Sequence, residues 1–133
     1  SSQVGACIVD EDKKVVSIGY NGMPRCVDES QLTWNKGEGL DSKYLYVCHA
    51  EMNAITNFRG SRKDLKDSTI YVDLFPCNEC AKQIIQSGIK HVIYLCDKYA
   101  DTDGVKASKR MFEECGVTYQ KLDVNKEIKI DLK

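Results

Sequence analysis

Lys90-His91-Val92-Ile93-Tyr94-Leu95-Cys96 reads as a short apolar strand, Asp103 to Cys115 as a helix with Val105, Met111 and Phe112 turned partly inward, and Val117 to Leu122 as a second strand. Strand, helix, strand implies a parallel pair with a right-handed crossover, because parallel neighbours need a connection that returns the chain to the same end of the sheet. Upstream, Ser68 to Leu74 has the composition of a buried strand, and Pro76 opens a helix through Ile85 that Gly88 terminates. From Cys48 to Phe58 the spacing again predicts a helix. Met52, Ile55 and Phe58 recur at three-residue intervals on one face, Ala50 and Ala54 favour helix and permit close approach, and Gly60 ends it.

At the front, Ser1 to Val9 and Val15 to Tyr20 are strands joined by the charged turn Asp10 to Lys14, which makes a hairpin. Residues 21–46 carry Asn-Gly, Met-Pro and isolated glycines around Trp34, Asn35 and Lys36, with no sustained period. They read as a long loop, or a loop with one short helical turn, of the kind that forms a lid, a site wall or an oligomer contact. The tail from Val124 to Leu132 alternates Ile128, Ile130 and Leu132 with charged residues and is expected as an extended edge segment. The sum is an α/β protein: a hairpin followed by α/β units, hence a mixed sheet covered by helices. Both faces of such a sheet need covering, and no helix precedes the first strand. A covering helix is therefore expected from an upstream segment or a partner.

The 133 residues suit one domain, 1–133. Apolar residues at 42% and charged residues at 29% are globular usage and exclude a disordered or fibrous chain. Nineteen Lys and Arg against twenty Asp and Glu leave a net charge of -1, so no general attraction to nucleic acid or to an anionic membrane is expected. No apolar run approaches the roughly 18 residues of a spanning helix, and the front shows no signal segment; the expectation is a soluble, cytoplasmic protein. Seven cysteines would leave one thiol over if paired. Cys7, Cys96 and Cys115 lie in or beside apolar runs and read as small hydrophobes of a reducing compartment.

Cys77 and Cys80 differ. Two helix starts hold the chemistry: Cys48-His49-Ala50-Glu51 and Phe75-Pro76-Cys77-Asn78-Glu79-Cys80. Residues three apart share a helix face, so the two sulfurs can converge on one ion, and a first-turn position favours thiolates. His49 offers a third ligand, which leaves one tetrahedral position for water, the pattern of a catalytic zinc. Glu51 is better suited to carry protons than to bind metal, since two thiolates already neutralise the zinc charge. Alone, the C-x-x-C pair leaves a redox couple, half of a structural zinc site or simple packing open. Pro76, His49 and Glu51 complete the H-x-E and P-C-x-x-C signature of zinc nucleobase deaminases. His91 reads as an ordinary strand residue, and Glu79 as a cap or a solvated carboxylate.

With these segments, and with Ser2-Gln3-Val4-Gly5-Ala6, Gly19-Tyr20-Asn21-Gly22-Met23-Pro24, Tyr46 to Ile55, Leu74 to Lys82 and Asp97-Lys98-Tyr99, the chain resembles the cytidine deaminase superfamily, and within it the deoxycytidylate branch, over nearly all of residues 1–122. The resemblance implies a cytidine deaminase-like three-layer α/β/α fold with a central mixed sheet. It implies hydrolysis of dCMP at C4 to dUMP, with Zn2+ on His49, Cys77 and Cys80 and Glu51 as proton shuttle. It places Asn21 against sugar or base, the Ala50 N–H against the base carbonyl, and Val47 and Phe75 as walls. Lys98 and Tyr99, which follow a strand, could meet the phosphate, with Ser2 or Arg25 as weaker choices; a solvated or subunit-contact surface is the alternative. The resemblance further implies a hexamer, activation by dCTP, inhibition by dTTP, and Mg2+ with the regulatory nucleotide, near Gly19, Tyr20, Asn21 and Gly22. Relatives also carry a helix ahead of the Ser-Gln-Val-Gly segment. Competing readings are a deaminase of another cytosine or adenine substrate, and a non-catalytic zinc-stabilised interaction module.

Overall fold

Strand β1 (Gly5–Val9) folds back on β2 (Val15–Tyr20), with Gly5 opposite Tyr20 and a bulge between Ile8 and Val9. In the computed structural model, which describes residues 4–27 and 38–123, this hairpin is the antiparallel end of a five-stranded sheet. The other strands are β3 (Thr69–Leu74), β4 (His91–Cys96) and β5 (Thr118–Lys121), in the order β2-β1-β3-β4-β5. β1 pairs antiparallel with β3, whereas β3, β4 and β5 run parallel, as the strand-helix-strand reading requires. The connecting helices are α1 (Ala50–Asn57), α2 (Asn78–Ser87) and α3 (Asp103–Cys115). Gly88 and Gly116 close α2 and α3 at φ 92° and 75°, a left-handed conformation in which a side chain is strained.

Alternation along the strands sorts their side chains. Ala6, Ile8, Ile70, Val72 and Val92 are buried with Ala54, Ala81, Ile84, Val105 and Phe112 of the helices. Helix α2 lies between α1 and α3, so the three form one layer. Cys7, Tyr71, Ile93 and Leu95 point the other way and line a groove of about 360 Å³ with Ile18, Tyr20, Asp73 and Leu122. Ile18 is 50% exposed there, and among the described residues no helix covers this face. The mixed sheet and its helical layer are those of the expected α/β/α fold.

Several local expectations need correction. Helix α1 starts at Ala50 and stops at Asn57, ahead of Gly60, and its buried positions are Ala50, Glu51 and Ala54. Met52, Ile55 and Phe58 are only half-buried. The reason is close approach: a Cβ on Gly19 would stand 2.2 Å from the Ala54 nitrogen and 2.4 Å from the Ala50 carbonyl oxygen. Small side chains therefore win the inward face, and larger ones move to the flanks. Asn53 and Asn57, one turn apart, donate to the Tyr20 and Ile18 carbonyls at 2.7 and 3.1 Å, which satisfies the outer edge of β2. Helix α2 begins at Asn78, with Cys77 as its N-cap. Cys115 is exposed at the end of α3, and Cys7 and Cys96 are half-buried, so none of the three is a core residue. Two single 3₁₀ turns, Gly39–Asp41 and Lys43–Leu45, interrupt the long loop. Ser1 to Gln3, residues 28–37 and the 124–132 tail lie outside the described residues.

Candidate active site

His49 is the N-cap of α1 and Cys77 the N-cap of α2, and Cys80 sits in the first turn of α2. The chain folds this way because both caps have extended backbones (ψ 155° and 169°) while their carbonyls already accept the first helical bonds, from Asn53 and Ala81. Packing of α1 beside α2 then brings the two helix starts together. His49 Nδ1 lies 3.3 Å from Cys80 Sγ and 3.5 Å from Cys77 Sγ, and the three donor atoms are all within 4.8 Å of one another. A tetrahedral zinc with ordinary Zn–S and Zn–N bonds holds its nitrogen and sulfur ligands about 3.6 Å apart. The spacing and the soft donor set both fit that ion.

Without metal the two thiols share a proton. A hydrogen bond from Cys80 pulls Cys77 down to about 4, and the same bond, with burial, pushes Cys80 up. His49 is raised chiefly by its hydrogen bond to Cys77. Glu51 is only 7% exposed, and burial raises its carboxyl above the ordinary range. A carboxyl so placed can hold a proton and give it up, the property a shuttle requires.

The metal cluster and Glu51 open into a cavity of about 490 Å³. Of the residues singled out by sequence, Asn21, Val47, Ala50, Phe75 and Tyr99 line it. Phe75 is held edge-on against Tyr94 and Tyr119, at centroid distances of 4.9 and 5.3 Å. Asn21 spends its Oδ1 on the Val4 N–H at 2.9 Å, which leaves its amide N–H groups for a ligand. Lys98 does not line the cavity; it is exposed, with Nζ 5.3 Å from the centre of the Tyr99 ring. Arg25 is exposed and outside the lining as well, and Ser2 lies outside the described residues. The lining residues that sequence reading missed are Val4, Lys43, Tyr44 and Leu74. Lys43 and Tyr44 belong to the loop without periodicity, where the only signal is nearness to the His49 segment.

The stretch named for regulation also has structural tasks. Gly19 is buried under α1, Tyr20 is exposed beside the open sheet face, and Gly22 forms a bridge with Cys48 through bonds of 3.0 and 2.7 Å. Glu79 is exposed and pairs with Lys82 at 3.0 Å, and His91 Nδ1 meets Thr118 Oγ1 at 2.6 Å, both away from the cavity.

A family model for the cytidine and deoxycytidylate deaminase zinc-binding region matches residues 1–96, a span that contains both helix starts of the cluster. The chain belongs to the cytidine and deoxycytidylate deaminase family. Among members of this family, a deoxycytidylate deaminase of Pongo abelii is 54% identical over 123 residues, covering 91% of this chain and 68% of its own length. A probable deoxycytidylate deaminase of Drosophila melanogaster is 48% identical, covering 98% and 67%. The crystal structure of the dCMP deaminase of cyanophage S-TIM5 in complex with dCMP and dUMP matches with a TM-score of 0.66 and 29% identity, over 90% of this chain and 80% of that one. The family fold, a mixed sheet flanked by helices, is the fold described above. No helix among the described residues is long and apolar enough to cross a membrane.

Proposed function

We propose that the chain catalyses hydrolysis of dCMP to dUMP and ammonia. The observation that carries this is the meeting of His49, Cys77 and Cys80 beside the buried Glu51 in a cavity whose polar lining can take a nucleotide. Similarity to deoxycytidylate deaminases supports the choice of substrate. His49, Cys77 and Cys80 would hold Zn2+, which supplies a Lewis acid able to make water nucleophilic near neutral pH. Glu51 accepts a proton as water adds at C4 and returns it to the base, from which the amine leaves as ammonia. The Ala50 N–H, at the first residue of α1, meets the base carbonyl. Val47 and Phe75 hold the ring, and Asn21 gives its amide N–H groups to the sugar or base. Tyr99 remains a candidate for phosphate contact, and Lys98 would reach it only by a movement of its exposed side chain.

Family resemblance also supports a homohexamer regulated by dCTP and dTTP with Mg2+, the exposed Tyr20 and the neighbouring Asn21 and Gly22 being the residues to examine. Gly19 is already accounted for by packing. A single deaminase domain with a covering helix upstream fits the open sheet face, and a reducing, cytoplasmic location fits the need for two free thiolates. The test is Glu51→Gln. It should keep roughly one zinc per chain and the fold while turnover of dCMP falls by about 10²- to 10⁴-fold. Near-normal turnover would sink the assigned role. Side-by-side assays of dCMP, deoxycytidine, cytosine and an RNA oligonucleotide decide the substrate class.

A further inference from the structure

Among the described residues lining the site cavity there is one lysine or arginine, and it is Lys43. Outside the metal cluster and Glu51, the side chains that bring polar atoms to this lining are Asn21, Lys43, Tyr44 and Tyr99. We propose that Lys43 recognises the 5′-phosphate and makes the site prefer a nucleotide over its nucleoside. This rests on the dCMP reading above.

The electrostatics give the substrate a direction. For C4 to react the base must lie against Glu51 and the three ligand side chains, so the phosphate falls on another part of the lining. A phosphate dianion is held best where the lining offers a cation, and among the described lining residues that cation is Lys43. Lys43 is half-buried, so a contact there is screened less than one to the exposed Lys98.

The turn that carries Lys43 is held firmly. Its carbonyl accepts the N–H groups of Tyr46 and Val47 at 3.0 and 2.9 Å, and Ser42 Oγ accepts the Tyr44 N–H at 3.3 Å. The following residues are joined to the Asn21 side of the cavity by the bridge between Cys48 and Gly22. The Tyr44 ring lies 5.5 Å from Lys43 Nζ and supports the ammonium with its face. Lys43 and Asn21 thus stand on one rigid scaffold, able to read phosphate and nucleoside together.

The experiment compares kcat/KM for dCMP and deoxycytidine in the zinc-loaded chain and in Lys43→Gln, Lys43→Arg and Lys98→Ala. Lys43→Gln should lose roughly ten- to hundredfold with dCMP, mostly in KM, and less than about threefold with deoxycytidine, since only dCMP has the anion that a charged hydrogen bond holds. Lys43→Arg should restore most of the loss. Calorimetric binding of dUMP against deoxyuridine gives a second readout independent of turnover: Lys43→Gln should weaken only dUMP. Equal losses for nucleotide and nucleoside, or a larger dCMP-specific loss in Lys98→Ala, would overturn the assignment. If the unsubstituted chain turns over no dCMP, the activity reading fails by itself, and the dUMP arm still decides whether Lys43 holds a phosphate.

Discussion

Val4 and Asn21 hold each other by a reciprocal pair of hydrogen bonds: the Val4 N–H donates to Asn21 Oδ1 at 2.9 Å, and the Asn21 N–H donates to the Val4 carbonyl at 3.1 Å. One side-chain atom of Asn21 therefore ties the chain ahead of β1 to the end of β2, while the other is left for the cavity. Asn21→Asp keeps the acceptor and removes the donor. It should leave the thermal midpoint close to that of the parent while lowering kcat/KM for dCMP at least about tenfold. Asn21→Ala should lose the same activity and, in addition, about 1–2 kcal/mol of stability, because the Val4 N–H is left unpaired. Full activity in Asn21→Asp would confine this residue to a structural role.

Zinc binding should release protons. At neutral pH and without metal, Cys77, held down to about 4, is a thiolate, while Cys80 keeps the proton that the pair shares. Ligation needs both sulfurs deprotonated, so zinc displaces at least one proton, and the raised His49 adds a further fraction as pH falls. Apparent affinity should thus rise roughly tenfold per pH unit through neutrality. Calorimetry in buffers of different ionisation enthalpy counts the protons. Cys80→Ser should abolish tight zinc binding, whereas Cys115→Ala, exposed at the end of α3, should keep it. A pH-independent affinity would contradict the shared proton.

Gly19→Ala should be costly out of proportion to one methyl group. The added Cβ would overlap the backbone of α1 at Ala50 and Ala54, which cannot move without carrying Glu51 with it. We expect a loss of about 3 kcal/mol or more in urea unfolding, with reduced turnover in the fraction that still folds. An equally stable variant would mean that α1 can shift away from β2 freely.

The open face of the sheet gives a further test. A longer chain, with a helix ahead of Ser1 whose apolar side matches Cys7, Ile18, Tyr71, Ile93 and Leu95, should be more stable. Covering about 200 Å² of apolar surface contributes about 5 kcal/mol as an upper value. Turnover of dCMP should rise with it, because the same element would order the entrance to the site. Zinc per chain should change little, since all three ligands sit on internal helix starts. If residues 1–133 match the longer chain in stability, assembled mass and turnover, measured with and without dCTP, something else covers this face.

Local spacing determined much of this protein. The bounds of α3, the left-handed stops at Gly88 and Gly116, the hairpin Val15–Tyr20 partner and the convergence of Cys77 with Cys80 all follow from interactions within a few residues. The His49-Ala50-Glu51 and Pro76-Cys77-Cys80 pattern was legible for the same reason: it is written at two helix starts. What tertiary structure alone decided concerns pairs far apart in the chain. Helix α1 turns Ala50 and Ala54 inward, against its own apolar periodicity, because Gly19 lets the backbones touch. Lys43 enters the cavity and Lys98 does not, because a loop without a period is placed by its bridge to Gly22 and by bonds across its own turns. The pairing of Ala6 with Val72 sets β1 between β2 and β3, and all three helices then share one face of the sheet. Contacts across such separations depend on which surfaces pack best, and a pattern repeating every two or four residues carries no record of that choice.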